Sequence, residues 1–306
     1  MTLAELRYIV AVARERHFGR AAKACHVSQP TLSVAVRKLE GELGTILFER
    51  GRNEVVLTAM GRQIVDQSQR TLEAAERILQ IAATDDQVLA EPLRLGVIYT
   101  IGPYLLPALI PALRDQEPDL QIMVEEGFTA DLRVKLKQGS IDAIILAKPF
   151  SESGVEVRPL YREPFIVVLP SSHPWSARKS IRPAELAEET VLLLGTGHCF
   201  RDQGLEVCPG CLRRGDGSDL QKTLEGGSIE TIRHMVASGV GVTVLPCRAA
   251  GAEEYSRRLL SIKRFSGRKP SRDVILAWRK GYPRTQAIDA LTAAVQSCNM
   301  TCVEML

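Results

Sequence analysis

The hydrophobic period of this chain changes once, near residue 90, and that change limits the folds open to it. Before it, apolar residues recur at helical spacing; after it, short apolar runs alternate with helical stretches. Leu3, Leu6, Ile9, Val10 and Ala13 mark a first helix, and Phe18, Ala21, Ala22 and Ala24 a second. A third is opened by Ser28, with Pro30 just inside it, where a missing N–H costs nothing. It runs through Leu32, Val36 and Leu39 to Gly44, a natural stop. The string FERGRNEVVLT sets Gly51, Arg52 and Asn53 between two apolar runs and predicts a hairpin. Thr58 then caps a long helix reaching roughly Ala83, whose stripe includes Ile64, Leu72, Ala75 and Leu79. With no domain core in view for that stripe, a second copy of the helix is its expected partner. Thr84 to Pro92 loses the pattern and reads as a linker.

From Leu93 onward, LRLGV, LQIMVEE, AIILA, FIVVLP, TVLLLG, VTVLP and DVILAW read as strands. Helices are expected around Tyr104–Arg114, Ala130–Gln138, Ile229–Ser238 and Thr285–Ser297. Such alternation predicts parallel sheets covered by helices, here in two α/β subdomains. At 306 residues and 45% hydrophobic, the chain has material for these cores without metals or disulfides. No stretch approaches the roughly 18 apolar residues of a membrane span, and no secretion signal opens the chain. The expectation is a cytoplasmic protein with no membrane partner. Seven cysteines, an odd number, also speak against a secreted disulfide scaffold.

The net charge of +3 announces no partner, so charge is read by segment. Residues 1–62 carry ten Lys/Arg against six Glu and no Asp, about +4 by difference, where two helices flank a turn at Cys25–Val27. In a helix-turn-helix unit the start of the second helix enters the major groove. That presents Gln29, Thr31 and Ser33 to base edges, behind Pro30, with Arg37 one turn on. Gln suits adenine, Arg guanine or phosphate, and the Thr methyl thymine. Arg50 and Arg52 on the hairpin are candidates for phosphate or minor-groove contact.

The segment HFGRAAKACHVSQPTLSVAVRKLEGELGTILFERGRNEVVLTAMG resembles the winged helix-turn-helix of LysR-type transcriptional regulators. The AA pair, SQPTLS, LE-x-x-LG, LFER and LT-x-x-G stand at the family's places, with Cys25 where the family usually has Leu. The resemblance implies an α winged helix-turn-helix domain (1–58), a long linker helix and hinge (59–90) that makes dimers and often tetramers, and a two-lobed α/β effector domain (91–306) of the periplasmic-binding-protein type. Lobe I would span about 91–162 and 267–306, lobe II about 163–266. Promoter DNA and RNA polymerase are the implied macromolecular partners.

Residues 195–208, GTGHCFRDQGLEVC, resemble the redox segment of the OxyR branch of this family, which senses hydrogen peroxide. The resemblance implies that peroxide oxidises Cys199 and that Cys208 captures the product as an intramolecular disulfide. It also implies a peroxide pocket of Thr100, Thr129 and His198, with Arg201 and Asp202 nearby, and a thiol reductant such as glutaredoxin or thioredoxin. A thiolate is the nucleophile, and His198, Arg201 or a helix N-terminus are candidates for favouring it. Thr129 has two readings, a helix cap or a peroxide ligand. If residues 199–208 are helical, the two cysteines stand about 13.5 Å apart, beyond disulfide reach, so bonding requires the segment to unwind. Gly204 and Pro209 weaken it for that purpose.

Cys211 makes a C-x-x-C pair with Cys208 that the branch lacks, and is an alternative resolving thiol. A zinc site is disfavoured for want of paired-knuckle spacing, and no other metal or cofactor is expected. Cys298 and Cys302, spaced i,i+4, read as packing residues on the last helix, and Cys247 reads as buried. An alternative regulator would bind a small metabolite between the lobes, with structural cysteines. A thioredoxin-like enzyme built on CPGC leaves the N-terminal helices unexplained, so no turnover enzyme is expected.

Overall fold

In the computed structural model, residues 1–50, 55–82, 91–208, 223–250, 256–267 and 269–306 are described. Arg52, Cys211, Pro209 and most of the expected linker lie outside them, as does the tip of the expected hairpin.

The N-terminal unit is built by its caps. Helix α1 (Leu3–Glu15) opens with a capping box between Thr2 and Glu5, and α2 (Phe18–Ala24) with His17, whose Nδ1 accepts from the Gly19 N–H at 3.0 Å. Ser28 caps α3 (Gln29–Leu43), which ends at Gly44 with φ 65°. Leu6, Ile9, Val12, Ala21, Leu32, Val36 and Leu39 meet in one core, each large aliphatic contributing roughly 1.5–3 kcal/mol by leaving water. Strands β1 (Phe48–Arg50) and β2 (Val55–Leu57) pair antiparallel, Phe48 opposite Leu57. Thr58 then caps α4 (Ala59–Ala82), its Oγ1 accepting from the Gly61 N–H at 2.8 Å. A Cβ on Gly61 would stand 2.2 Å from the Leu47 carbonyl oxygen, which gives the LT-x-x-G pattern a steric reason.

One expectation about α4 changes. Its stripe does have a core within its own chain: Val65 is buried there, and Ile64 and Leu72 pack against the same cluster. Ala75 is half-buried, and the side chain of Leu79 is outside the described set.

The rest of the chain forms a curled mixed sheet. Strands β3 (Leu93–Ile98), β4 (Ile122–Gly127) and β5 (Ala143–Ala147) are parallel, with helices α5 (Gly102–Gln116) and α6 (Thr129–Lys137) between them. The long strand β6 (Val155–Pro170) leads to the short β7 (Ser180–Ile181) and to β8 (Val191–Leu194), helix α7 (Cys199–Val207) and β9 (Thr223–Gly226). Helix α8 (Ile229–Ala237), β10 (Val242–Pro246), helices α9 (Cys247–Ala250) and α10 (Ser256–Leu259), and β11 (Leu260–Phe265) follow. Strand β12 (Ser271–Arg279), helix α11 (Thr285–Ser297) and β13 (Glu304–Met305) close the chain. The strand order is β4-β3-β5-β12-β6-β10-β8-β9, with β11 and β13 also on β6.

The expected parallel sheets are in fact mixed. Strand β12 runs antiparallel to both β5 and β6, and β6 antiparallel to β10, because two connections recross the middle of the sheet. Two cores result. One gathers Leu95, Ile144, Tyr161, Leu276 and Leu291, the other Val167, Leu192, Phe200, Ile232 and Leu245. Strand β6 passes through both: its first part pairs with β12 and its last with β10 and β11. At the crossing, buried Glu163 accepts from Arg272 Nε and Nη2 at 3.0 and 2.8 Å.

Candidate functional site

Three strand-to-helix junctions converge beside that crossing: Tyr99–Thr100 after β3, Phe128–Thr129 after β4, and Gly195–Cys199 after β8. Strand ends that feed helix starts gather backbone N–H groups on one side, a setting that suits anions and developing negative charge. Cys199 is the first residue of α7 and a free thiol. Beside it lies an open cavity of about 520 Å³ whose walls include Thr129, Arg133, Ser151, His198, Cys199, Arg201 and Asp202.

The cap reading of Thr129 does not hold. Phe128 is the cap position of α6, and the Thr129 Oγ1 is buried with no hydrogen-bond partner. A buried hydroxyl left unpaired costs about 1–3 kcal/mol, so this one is available to a polar guest. His198 stacks edge-on with Phe128 at 4.8 Å and Tyr99 at 6.1 Å, and burial lowers its pKa, against a smaller opposing effect from its backbone hydrogen bond to Gly227. His198 is thus neutral at neutral pH, and contributes a positioned imidazole rather than a cation. Gly197 has φ +97° and faces the Phe128 ring, so that turn suits a glycine.

Arg201 is the cation of α7 on this wall, but its Nη2 donates to Glu225 Oε1 at 2.6 Å, while its Nε is buried without a partner. Asp202 is exposed on the cavity rim. Thr100 stands apart from this wall: its Oγ1 and carbonyl accept from Arg272 at 3.0 and 2.9 Å. Tyr99, Phe128, Glu163 and Arg272 were not singled out from sequence; the last two are brought together from 109 residues apart, which no local pattern can signal.

Cys199 and Cys208 stand at the two ends of α7, whose rise separates them by about 13.5 Å. No bond joins them: Cys208 is buried in the second core and already disulfide-bonded to another sulfur. Nor are Cys298 and Cys302 packing residues of one helix. Helix α11 ends at Ser297, Cys298 is its buried cap, and Cys302 lies beyond it, half-exposed and bonded to Cys247. Cys25 packs against the N-terminal core, and burial pushes its thiol up. Among the described residues no cluster of His, Cys, Asp or Glu suits a metal, and no helix is long and apolar enough to cross a membrane.

At the other end of the molecule, Gln29, Pro30, Thr31 and Arg37 are exposed along the start of α3, with Ser33 half-buried. The Thr31 hydroxyl is shared with Ser28 Oγ at 2.7 Å. Arg50 closes β1; its side chain is outside the described set.

Residues 3–62 match the bacterial regulatory helix-turn-helix protein, lysR family, and residues 86–298 match the LysR substrate binding domain. The chain is 38% identical over 298 residues to the DNA-binding transcriptional dual regulator OxyR of Escherichia coli K12, covering 97% of this chain and 95% of that one. It belongs to the LysR-type transcriptional regulators, in the OxyR branch. A probable hydrogen peroxide-inducible genes activator of Mycobacterium avium is 36% identical, over 96% of this chain and 93% of its own length. Among solved structures, full-length OxyR of Pseudomonas aeruginosa superposes with a TM-score of 0.87 at 49% identity, covering 98% of this chain and 96% of that one. An H2O2-bound OxyR of Corynebacterium glutamicum gives 0.62 at 34%, covering 96% and 93%. The two-lobed effector unit is periplasmic-binding-protein-like in fold only.

Proposed function

We propose that this LysR-type regulator senses hydrogen peroxide through Cys199 and passes the signal to promoter DNA. The observation that carries the reading is a free thiol at the start of α7, on the same cavity wall as a threonine hydroxyl buried without a partner. The Cys199 thiolate attacks one peroxide oxygen, the O–O bond breaks, and the departing hydroxide leaves as water after taking a proton. Thr129 and neutral His198 hold the peroxide and the leaving oxygen, which is stabilisation aimed at the charge that develops. Cys208, freed from its present disulfide by a thiol reductant such as thioredoxin or glutaredoxin, then displaces the sulfenic hydroxyl. That closes Cys199–Cys208 and releases a second water.

Because α7 holds the pair about 13.5 Å apart, closure unwinds the helix and draws Cys208 out of the second core. In this reading residues 1–58 bind DNA, with Gln29, Thr31 and Ser33 toward base edges and Arg37, Arg50 and Arg52 toward phosphates. Residues 59–90 pair two copies, two such dimers form a tetramer, and 91–306 sense. The protein acts in the cytoplasm and activates transcription through RNA polymerase. Lobe I comprises about 91–162 and 267–306, and lobe II about 163–266. Cys199→Ser should abolish the peroxide response of a reporter promoter while leaving operator affinity within about twofold. Peptide mapping of the oxidised protein should show Cys199 linked to Cys208, and linkage to Cys211 would reassign the resolving role.

A cavity of about 520 Å³ also has the volume of a small-molecule site, which favours a metabolite as the second reading. An undiminished response in the Cys199→Ser variant would select it.

A further inference from the structure

We propose that Cys247 and Cys302 form a second redox site: a dithiol that hydrogen peroxide converts to a disulfide, and whose closure braces the junction between the two effector cores. The proposal takes its oxidant from the proposed function but needs no chemistry at Cys199.

The two cysteines come from opposite sides of the crossing. Cys247 directly follows β10, which pairs with β6 in the second core, and Cys302 follows α11, which packs in the first. Their Cα atoms are 6.3 Å apart and their sulfurs are bonded, across 55 residues of chain. Beyond Cys302, β13 pairs with β6 at Tyr161 and Arg162, one residue from Glu163. The bond therefore ties the segment after α11 to the start of α9, and β13 ties the same segment to the strand that runs through both cores.

A buried polar chain leads from this bond toward the start of α7. The Arg248 N–H, next to Cys247, donates to Glu163 Oε1 at 2.9 Å. Glu163 Oε2 accepts from Arg272, which donates to Thr100 Oγ1 and carbonyl and lies 5.5 Å over the ring of Phe200, the neighbour of Cys199. Glu163 and Arg272 are both buried, so neither can move without the other. Opening the pair releases α9, and with it the acceptor geometry that fixes Arg272 under the start of α7.

The chemistry balances with peroxide alone. Cys302 is half-exposed and Cys247 nearly buried, so Cys302 meets the oxidant first. Its thiolate takes one peroxide oxygen and the other leaves as water. The Cys247 sulfur then displaces the hydroxyl, loses its proton, and a second water departs; the two sulfurs supply the two electrons. A dithiol reductant reopens the bond by exchange. Cys298 is buried beside this region, and burial pushes its thiol up, which keeps it out of the exchange.

The test uses the full chain carrying Cys199→Ser, reduced with dithiothreitol, desalted, treated with H2O2, alkylated and peptide-mapped. The expected result is a linked Cys247–Cys302 peptide whose yield rises with peroxide and falls on renewed reduction. A pair that stays open under peroxide, or that dithiothreitol cannot open in the folded protein, overturns the proposal. In the chain with Cys199 intact, Cys302→Ala and Cys302→Ser should each slow Cys199 oxidation at least threefold with the melting transition still cooperative. An unchanged rate in both overturns the bracing role. If Cys199 itself proves inert, the proposed function above fails, and the linked Cys247–Cys302 peptide in the Cys199→Ser protein still decides this one.

Discussion

Thr129 illustrates how much of the site rests on single atoms. Its backbone opens α6, while its Oγ1 is buried and unpaired, which is unfavourable unless a guest arrives. Thr129→Val keeps the shape and removes that hydroxyl. Stability should hold or rise by about 1 kcal/mol, while Cys199 oxidation by dilute H2O2 slows about tenfold or more, read by stopped-flow loss of free thiol. A variant that oxidises at the original rate would show that the hydroxyl has no part in the reaction. His198 makes a second prediction. Its folded pKa lies below the ordinary 6.5, chiefly because burial disfavours the charged ring. The unfolded chain therefore takes up a proton that the folded one refuses as pH falls from about 6.5 toward the lowered value. Stability should drop across that window and be unaffected by this group above it. Melting temperatures measured from pH 7.5 to 5 should fall less steeply for His198→Phe than for the unaltered protein. His198 and Cys199 stand in one stretch of contiguous letters, GTGHCFRDQGLEVC, whereas Thr129 is singled out only by the family resemblance, because its local sequence equally suits a helix cap. Thr100 was also named, but its partner Arg272 was not, since the bond between them spans 172 residues.

At the scale of elements, the proposed switch rests on α7. It is nine residues long, it begins at Cys199 and is followed at once by Cys208, and Gly204 lies in its interior. A Cβ at Gly204 would meet only Leu193 Cδ2 at 3.4 Å, an ordinary contact, so alanine fits. Gly204→Ala should strengthen the helix by about 0.5–1 kcal/mol and oppose the unwinding that a Cys199–Cys208 bond requires. At fixed limiting peroxide the disulfide yield should fall about two- to fivefold, measured by mapping, with sulfenic acid trapped on Cys199 instead. Equal yields would mean that helix stability does not gate the bond. The helices flanking this element and most strands matched their sequence pattern, because each buries a continuous apolar run. Strand β6 did not read as one strand: Pro159 and Pro164 look like stops, yet Pro159 lies where the β6–β12 register shifts and Pro164 where β6 leaves the first core. Helix α11 spans Thr285–Ser297 as its pattern predicts, but Cys298 and Cys302, which keep its spacing, do not continue it, because the backbone at Cys298 turns extended.

Across the whole molecule, the question is how a change at α7 reaches a helix that faces DNA. The described contacts offer one stiff route. Glu73 of α4 is buried and hydrogen-bonds Arg279 Nε at the end of β12, and Arg279 Nη1 also donates to the Leu136 and Ile141 carbonyls, each at 2.7 Å. The linker helix is thus bolted to the first effector core, close to α6, which itself lines the cavity beside Cys199. A nearby pair, Lys137 with Asp66, is exposed and adds little. Nothing in the local pattern of α4 foretold this bolt, because a lone Glu on a helix normally faces water. Removing one partner of a buried, hydrogen-bonded ion pair leaves the other charge stranded and typically destabilises by about 3–5 kcal/mol. Glu73→Gln keeps the shape and a neutral acceptor, so it loosens the joint with less damage. In that variant Cys199 should oxidise at its usual rate, since none of the cavity groups is touched. The peroxide-dependent change in affinity for a promoter fragment should shrink at least threefold, measured by anisotropy on reduced and oxidised protein at one salt concentration, because phosphate contacts make affinity salt-dependent. An affinity change of full size would mean that the signal travels to α3 without passing through α4.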